Sequence, residues 1–184
     1  MINLSSISGI GKTTLVQKLC DKLANSSVPA KGFYTEEVRS GQKRIGFDIV
    51  TLDGKRGTLA RIMESAPQTP ARHMVGQYTV SLKSFETLAC PVFQTQTGDV
   101  LVLDEIGRME LFSDSFKREV TKAFGNTGIT ILATIPIPKA KPMPFIENLR
   151  RRPDSVVVEV DRSNRDDLMD KVYAMLCPRQ HTTL

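Results

Sequence analysis

The chain has no tryptophan and only three tyrosines among its 184 residues. Rows of aromatic stacking platforms, the usual equipment of single-strand nucleic-acid binders, are therefore missing. Cysteine is scarce too: Cys20, Cys90 and Cys177 form no Cys-x-x-Cys pair, and their odd count argues against a disulfide framework. No stretch approaches the roughly 18 continuous apolar residues of a membrane span. No basic segment followed by an apolar run opens the chain, so no secretory signal is expected and the cytosol is the expected compartment. Neither charge dominates, with 25 Lys and Arg against 20 Asp and Glu, a formal +5. The basic residues are spread out, and the one run is Arg150, Arg151 and Arg152. That pattern reads as a basic helix end with some attraction for polyphosphate, not as a nucleic-acid groove.

What is present fits one α/β domain spanning residues 1–184, with ordinary proportions of hydrophobic (40%) and charged (24%) residues. Ile2 and Leu4 begin a short strand. After Lys12 the pattern turns helical, with Leu15, Val16, Leu19 and Leu23 on one face, until Asn25, Ser26, Ser27 and Pro29 end it. Residues 30–82 have a different texture. Ile45, Phe47 and Ile49 alternate with Gly46, Asp48 and Val50, and Gly41 and Asp53-Gly54 supply turns. This reads as inserted antiparallel hairpins, with a returning strand over 75–82. A helix is expected over 84–96, weakened at Pro91. Continuous apolar strands are expected at 100–103, 129–134 and 156–160. Phe112, Phe116, Val120 and Phe124 mark a helix between the first two of these. A last helix carries Leu168, Val172, Met175 and Leu176, with Ser163 as its expected cap. Such alternation predicts a mostly parallel sheet with helices on both faces and an antiparallel insertion.

Two segments carry chemistry. Residues 6–13 read Ser-Ile-Ser-Gly-Ile-Gly-Lys-Thr, after a strand and at the start of a helix. Backbone N–H groups at a helix N-terminus can surround a triphosphate where side chains leave room, and Gly9 and Gly11 leave it. Lys12 would meet the β- and γ-phosphates, and the Thr13 hydroxyl would bind Mg²⁺. The phosphate-loop consensus has glycine where this chain has Ser6, which would resist positive φ at about 1–2 kcal/mol. The second segment, 100–105, reads Val-Leu-Val-Leu-Asp-Glu, an apolar strand delivering two carboxylates. Asp104 would hold the metal, and Glu105 would take a proton from water. The candidate catalytic residues are Glu105 and Lys12, and the candidate metal ligands are Thr13 and Asp104. The candidate nucleotide-binding residues are Ser6, Ile7, Ser8, Gly9, Ile10, Gly11, Lys12, Thr13 and Thr14. From the second segment come Leu101, Val102, Leu103, Asp104, Glu105, Ile106, Gly107 and Arg108.

Thr134, at a strand end on the same edge, can reach the γ-phosphate or water, or can bond its own backbone. Residues 135–144 hold four prolines, which exclude helix. They read either as a lid carrying Lys139 and Lys141 or as a stiff connector. Arg108, Lys139, Arg150 and Arg151 are candidates for an additional cation, and the sequence does not choose among them.

Several segments together resemble the cancer-related nucleoside-triphosphatase family of animals and its archaeal and bacterial relatives. They are residues 11–15, 32–39, 44–48, 75–78, 104–112 and 134–139, and the resemblance extends over nearly the whole chain. Most specific are Gly-Phe-Tyr-Thr-Glu-Glu-Val-Arg and Asp-Glu-Ile-Gly-Arg-Met-Glu-Leu-Phe. The resemblance implies a P-loop enzyme hydrolysing ATP, GTP, CTP and UTP with Mg²⁺, slowly and with little base preference. In it Lys12 and Thr13 serve the loop, Asp104 the metal and Glu105 the water. Nucleoside triphosphates are the expected partners, with no membrane and no nucleic acid. A nucleotide or small-molecule kinase and a nucleotide-dependent switch are the alternatives. Glu36, Glu37 and Arg39 read as cross-strand charge pairs of an exposed hairpin.

Overall fold

The four residues Val100–Leu103 show how the sequence builds the interior. All four are buried, and alternate side chains enter opposite cores. That requires a strand covered on both faces. A computed structural model describes residues 1–6, 12–62, 73–137, 142–161 and 163–177. The strands are β1 (Ile2–Ser6), β2 (Ala30–Ser40), β3 (Lys43–Thr51), β4 (Arg56–Ile62), β5 (Met74–Val75), β6 (Tyr78–Val80), β7 (Val100–Leu103), β8 (Thr130–Pro136) and β9 (Val156–Glu159). The helices are α1 (Lys12–Asn25), α2 (Leu82–Ala89), α3 (Asp114–Gly125), α4 (Pro144–Arg150) and α5 (Arg165–Leu176).

All nine strands share one sheet, ordered β5-β6-β4-β3-β2-β7-β8-β1-β9. From β2 to β9 the pairs are parallel, and from β2 to β5 they are antiparallel. The inserted hairpins thus extend the main sheet. On one face lies a core with Phe33, Phe85 and Phe116, whose rings meet at centroid distances of 5.1–5.9 Å. Each such ring contributes about 1.5–3 kcal/mol by burial, with a smaller gain from the edge-on geometry. On the other face α1 and α5 pack with Val100, Val102 and Leu132. The expected stripe Leu15, Val16, Leu19 and Leu23 is the buried side of α1.

Strand β2 sets up the functional edge. Its first residues, Ala30 to Phe33, pair with β7, and the rest runs past the end of β7 on β3 alone. A platform therefore overhangs the carboxyl ends of the parallel strands. The close approach of β2 to β7 requires glycine at 32, where φ is +141° and a Cβ would lie 2.0 Å from the Val102 carbonyl oxygen.

Several expected boundaries change. The strand expected over 75–82 is a small hairpin, β5 and β6, turned at Gly76 with φ of +58°. The helix expected over 84–96 starts at Leu82 and stops at Ala89, and Pro91–Phe93 forms a single 3-10 turn. Phe112 precedes α3, which is capped by Ser113 accepting the Phe116 N–H at 2.9 Å. Strand β8 runs two residues beyond Thr134, and β9 ends at Glu159. Ser163 does not cap α5: Asn164 takes the cap position, and the Ser163 hydroxyl donates to Asp161 at 2.6 Å.

Candidate functional site

Three elements converge on one carboxylate. Asp104 follows β7, and its backbone N–H donates to the Phe33 carbonyl oxygen at 3.1 Å. The side chain is 1% exposed. Thr13, in the first turn of α1, donates its hydroxyl to Asp104 Oδ2 at 2.8 Å. Thr134 of β8 donates to Oδ1 at 2.5 Å. Burial pushes the Asp104 carboxyl above the usual range, against the two hydroxyls, the Lys12 charge and the Thr35 backbone, which favour its ionised form. A bound cation would further favour that form.

Thr134 takes neither of the roles the sequence left open. Its hydroxyl is committed to Asp104, and its side chain is fully buried. It orients the carboxylate by occupying one oxygen while Thr13 occupies the other.

Glu105, half-exposed, stands beside this cluster. Its Oε2 lies 3.9 Å from the ammonium of Lys12, itself 8% exposed as the first residue of α1. The two candidate catalytic residues therefore meet. The segment after Glu105 is pinned at two successive amides. The Ile106 N–H donates to the Thr134 carbonyl oxygen at 2.9 Å, and the Gly107 N–H donates to Glu110 Oε2 at 3.0 Å. Glu110 is 4% exposed. Burial, and then the neighbouring Glu105 charge, push its carboxyl up to about 8. Sequence reasoning passed over Glu110. The available signal was an acid set between Met109 and the apolar pair Leu111-Phe112.

Other candidates stand apart. Leu101, Val102 and Leu103 are enclosed in the two cores, so their part is to place Asp104 rather than to offer side chains to a nucleotide. Ile106 is likewise fully buried, whereas Arg108 and Thr14 are exposed. Ser6 ends β1 in extended backbone opposite Pro136, so the anticipated positive-φ strain does not arise there. Ile7, Ser8, Gly9, Ile10 and Gly11 lie outside the described residues, as do Lys139 and Lys141.

The proline-rich segment departs from the sequence reading at both ends. Pro136 closes β8, and Pro144 opens α4. A proline in a first helical turn gives up an N–H that would have no partner anyway. Arg150 is engaged: its Nη2 donates to the Pro136 carbonyl oxygen at 2.6 Å and its Nε lies 3.4 Å from Glu147, while Arg151 is exposed.

The overhanging hairpin carries charge on both of its faces. Glu36 bonds Arg56 and accepts from Gln17 of α1 at 3.4 Å. Glu37 meets Arg39 and Arg44, each at 2.6 Å, and the bond from Arg44 holds its carboxyl below the usual range. The pairs with Arg44 and Arg56 join different strands, as expected from the sequence, whereas Glu37 and Arg39 pair within β2. Beside them Arg61 pairs with the buried Asp48 at 2.5 Å.

Comparison with known proteins agrees along the whole length. The sequence model of the family described as NTPase matches residues 1–173. The human cancer-related nucleoside-triphosphatase is 46% identical over 175 residues, covering 92% of each chain. The solution structure of a human cancer-related nucleoside triphosphatase superimposes with a TM-score of 0.82 at 45% identity, over 97% of this chain and 98% of that one. The crystal structure of THEP1 from Aquifex aeolicus gives 0.83 at 33% identity, over 96% and 99%.

Proposed function

The chain belongs to the nucleoside-triphosphatase family, and from that premise we propose that it hydrolyses ATP, GTP, CTP and UTP to diphosphate and phosphate, with magnesium and with low base specificity. The observation that carries this reading is the meeting of Thr13, Thr134 and Asp104 beside the Lys12–Glu105 pair. Water attacks the γ-phosphorus. A bond from its oxygen forms as the bond to the bridging oxygen breaks, and that electron pair leaves with the diphosphate. Lys12 exchanges Glu105 for the β- and γ-phosphates, and the freed carboxylate takes the proton of the water.

The donor set fits magnesium. Thr13 donates its hydroxyl hydrogen bond to Asp104 and keeps its lone pairs, so the pair offers hard oxygen ligands and nothing softer. Among the described residues no group of three or more His, Cys, Asp or Glu could cage a metal. The site therefore suits a cation that retains water and phosphate ligands, as magnesium does. Held by Thr13 and Asp104, it would supply charge neutralisation between the β- and γ-phosphates.

Low base specificity is supported by the residue types assigned above, which would address phosphate and metal. No described helix is long and apolar enough to cross a membrane. Phosphate release from each of the four triphosphates, with and without magnesium and with a panel of phosphoryl acceptors, tests the whole reading. Release without acceptor, varying less than about a hundredfold between bases, is expected; that range corresponds to roughly 2.7 kcal/mol. Transfer only in the presence of an acceptor would make the protein a kinase instead.

A further inference from the structure

We propose that Glu110 is a positioning residue: by holding the Gly107 peptide it fixes where the Glu105 carboxylate stands when Lys12 turns to the phosphates. This rests on the hydrolytic reading above and adds a residue that reading does not use.

Both carboxyl groups come close to Gly107. A Cβ at this position would sit 2.6 Å from Glu105 Oε1 and 3.0 Å from Glu110 Oε2. Only glycine lets both acids approach the same peptide. Glu110 grips that peptide by its N–H, and a Glu105 oxygen stands close to the same glycine. The preceding amide, Ile106, is tied to β8 through Thr134, the residue that also orients Asp104. The wall behind Glu105 is thus anchored to the metal-side cluster as well.

The other oxygen of Glu105, Oε2, lies 3.9 Å from the Lys12 ammonium. A lysine drawn to a triphosphate weakens that ion pair, whereas the Glu110–Gly107 bond is made between a backbone N–H and a buried carboxyl and does not involve Lys12. It persists through the reaction and limits the arc open to Glu105. A buried carboxyl is a costly way to close a turn. Its neutral form removes the repulsion that a second carboxylate would exert on Glu105, and burial favours that form.

The test uses wild type, Glu110→Ala, Glu110→Gln and Gly107→Ala. Each is checked for folding by circular dichroism and melting. Each is then measured for kcat and for affinity to a non-hydrolysable triphosphate with magnesium. Glu110→Ala should lower kcat roughly 10- to 100-fold, the scale of an ångström-sized misplacement, with affinity held within about threefold. Glu110→Gln keeps a carbonyl oxygen for the Gly107 N–H and should recover most of the loss. Gly107→Ala intrudes on both carboxyls without altering Glu110, should lose kcat in the same way, and stands alone if Glu110→Ala does not fold. Wild-type kcat in folded Glu110→Ala or Gly107→Ala would overturn the inference. So would an affinity loss matching the kcat loss, or a glutamine variant as impaired as the alanine one. Those results leave hydrolysis by the wild type intact, whereas no phosphate release by the wild type would overturn the parent reading and this inference with it.

Discussion

Two adjacent carboxylates, Asp104 and Glu105, live in opposite environments, and each should fail in its own way when changed. Asp104 is enclosed and bonded on both oxygens, whereas Glu105 is half-exposed beside Lys12. Glu105→Gln keeps size and reach but loses the charge and the basic lone pair. With Lys12, Thr13 and Asp104 unchanged, magnesium and triphosphate should still bind while turnover falls roughly 10²–10⁴-fold, the usual contribution of a positioned general base. Asp104→Asn should instead raise the magnesium concentration needed for both binding and turnover, because its proposed partner is the metal shell. The two are separated by measuring kcat and nucleotide affinity for both variants across a magnesium titration. Near-normal kcat in Glu105→Gln would remove it as the base. At this scale the meeting of Lys12, Thr13, Asp104 and Glu105 was legible, because Gly-Lys-Thr and Asp-Glu declare themselves by residue type and neighbours. Thr134 and Glu110 were not. A hydroxyl bonding across strands, or an acid folded back on a glycine three residues before it, leaves no local periodicity.

Among the secondary-structure elements, strands buried on both faces were the most legible and caps the least. Val100–Leu103 is an unbroken apolar run, and the structure gives it those bounds. The segment around Gly76 also looked like one strand, yet positive φ at that glycine reverses the chain. The residues of the returning strand then pair with their own predecessors and with β4. Ser163 and Ser113 show why caps mislead. Both are serines near helix starts, but Ser113 faces the Phe116 N–H whereas Ser163 is taken by Asp161. Which serine caps depends on competing acceptors that the pattern does not display. Ser113→Ala should therefore destabilise the protein. It strips the buried Phe116 N–H of its acceptor and takes the 2.5 Å hydroxyl donor from Glu86. A loss of about 1–2 kcal/mol is expected, read as a lower urea midpoint at unchanged slope. Ser163→Ala should move the midpoint far less, and equal effects of the two would refute this assignment of the cap.

Across the whole molecule, the overhang of β2 joins a site made from α1, β7 and β8 to the antiparallel half of the sheet, and global unfolding releases the buried acids. Their burial then appears in the pH dependence of stability. Glu110 is pushed up to about 8 in the folded chain, from an ordinary value of 4.5. Between those values the native state holds a proton that the unfolded chain has released, so stability must fall as pH rises through that window. The groups facing Glu110 reinforce this direction, since Glu105 and Asp104 carry the same sign. Asp104 is itself raised by burial and contributes in the same sense. The depressed carboxylates act oppositely. Glu37, Asp53, Asp114, Asp154 and Asp161 add stability above their unfolded values and lose it as pH falls, and their exposure keeps that contribution small. Urea midpoints measured in chelator from pH 5 to pH 8 should therefore decline, by at most about 1.4 kcal/mol per pH unit for each acid involved. Glu110→Gln has no proton to lose at that position. Its midpoint should decline less steeply, with the two proteins diverging most near pH 8, where the variant should be the more stable. Parallel pH profiles would show that Glu110 does not hold its proton in the folded chain.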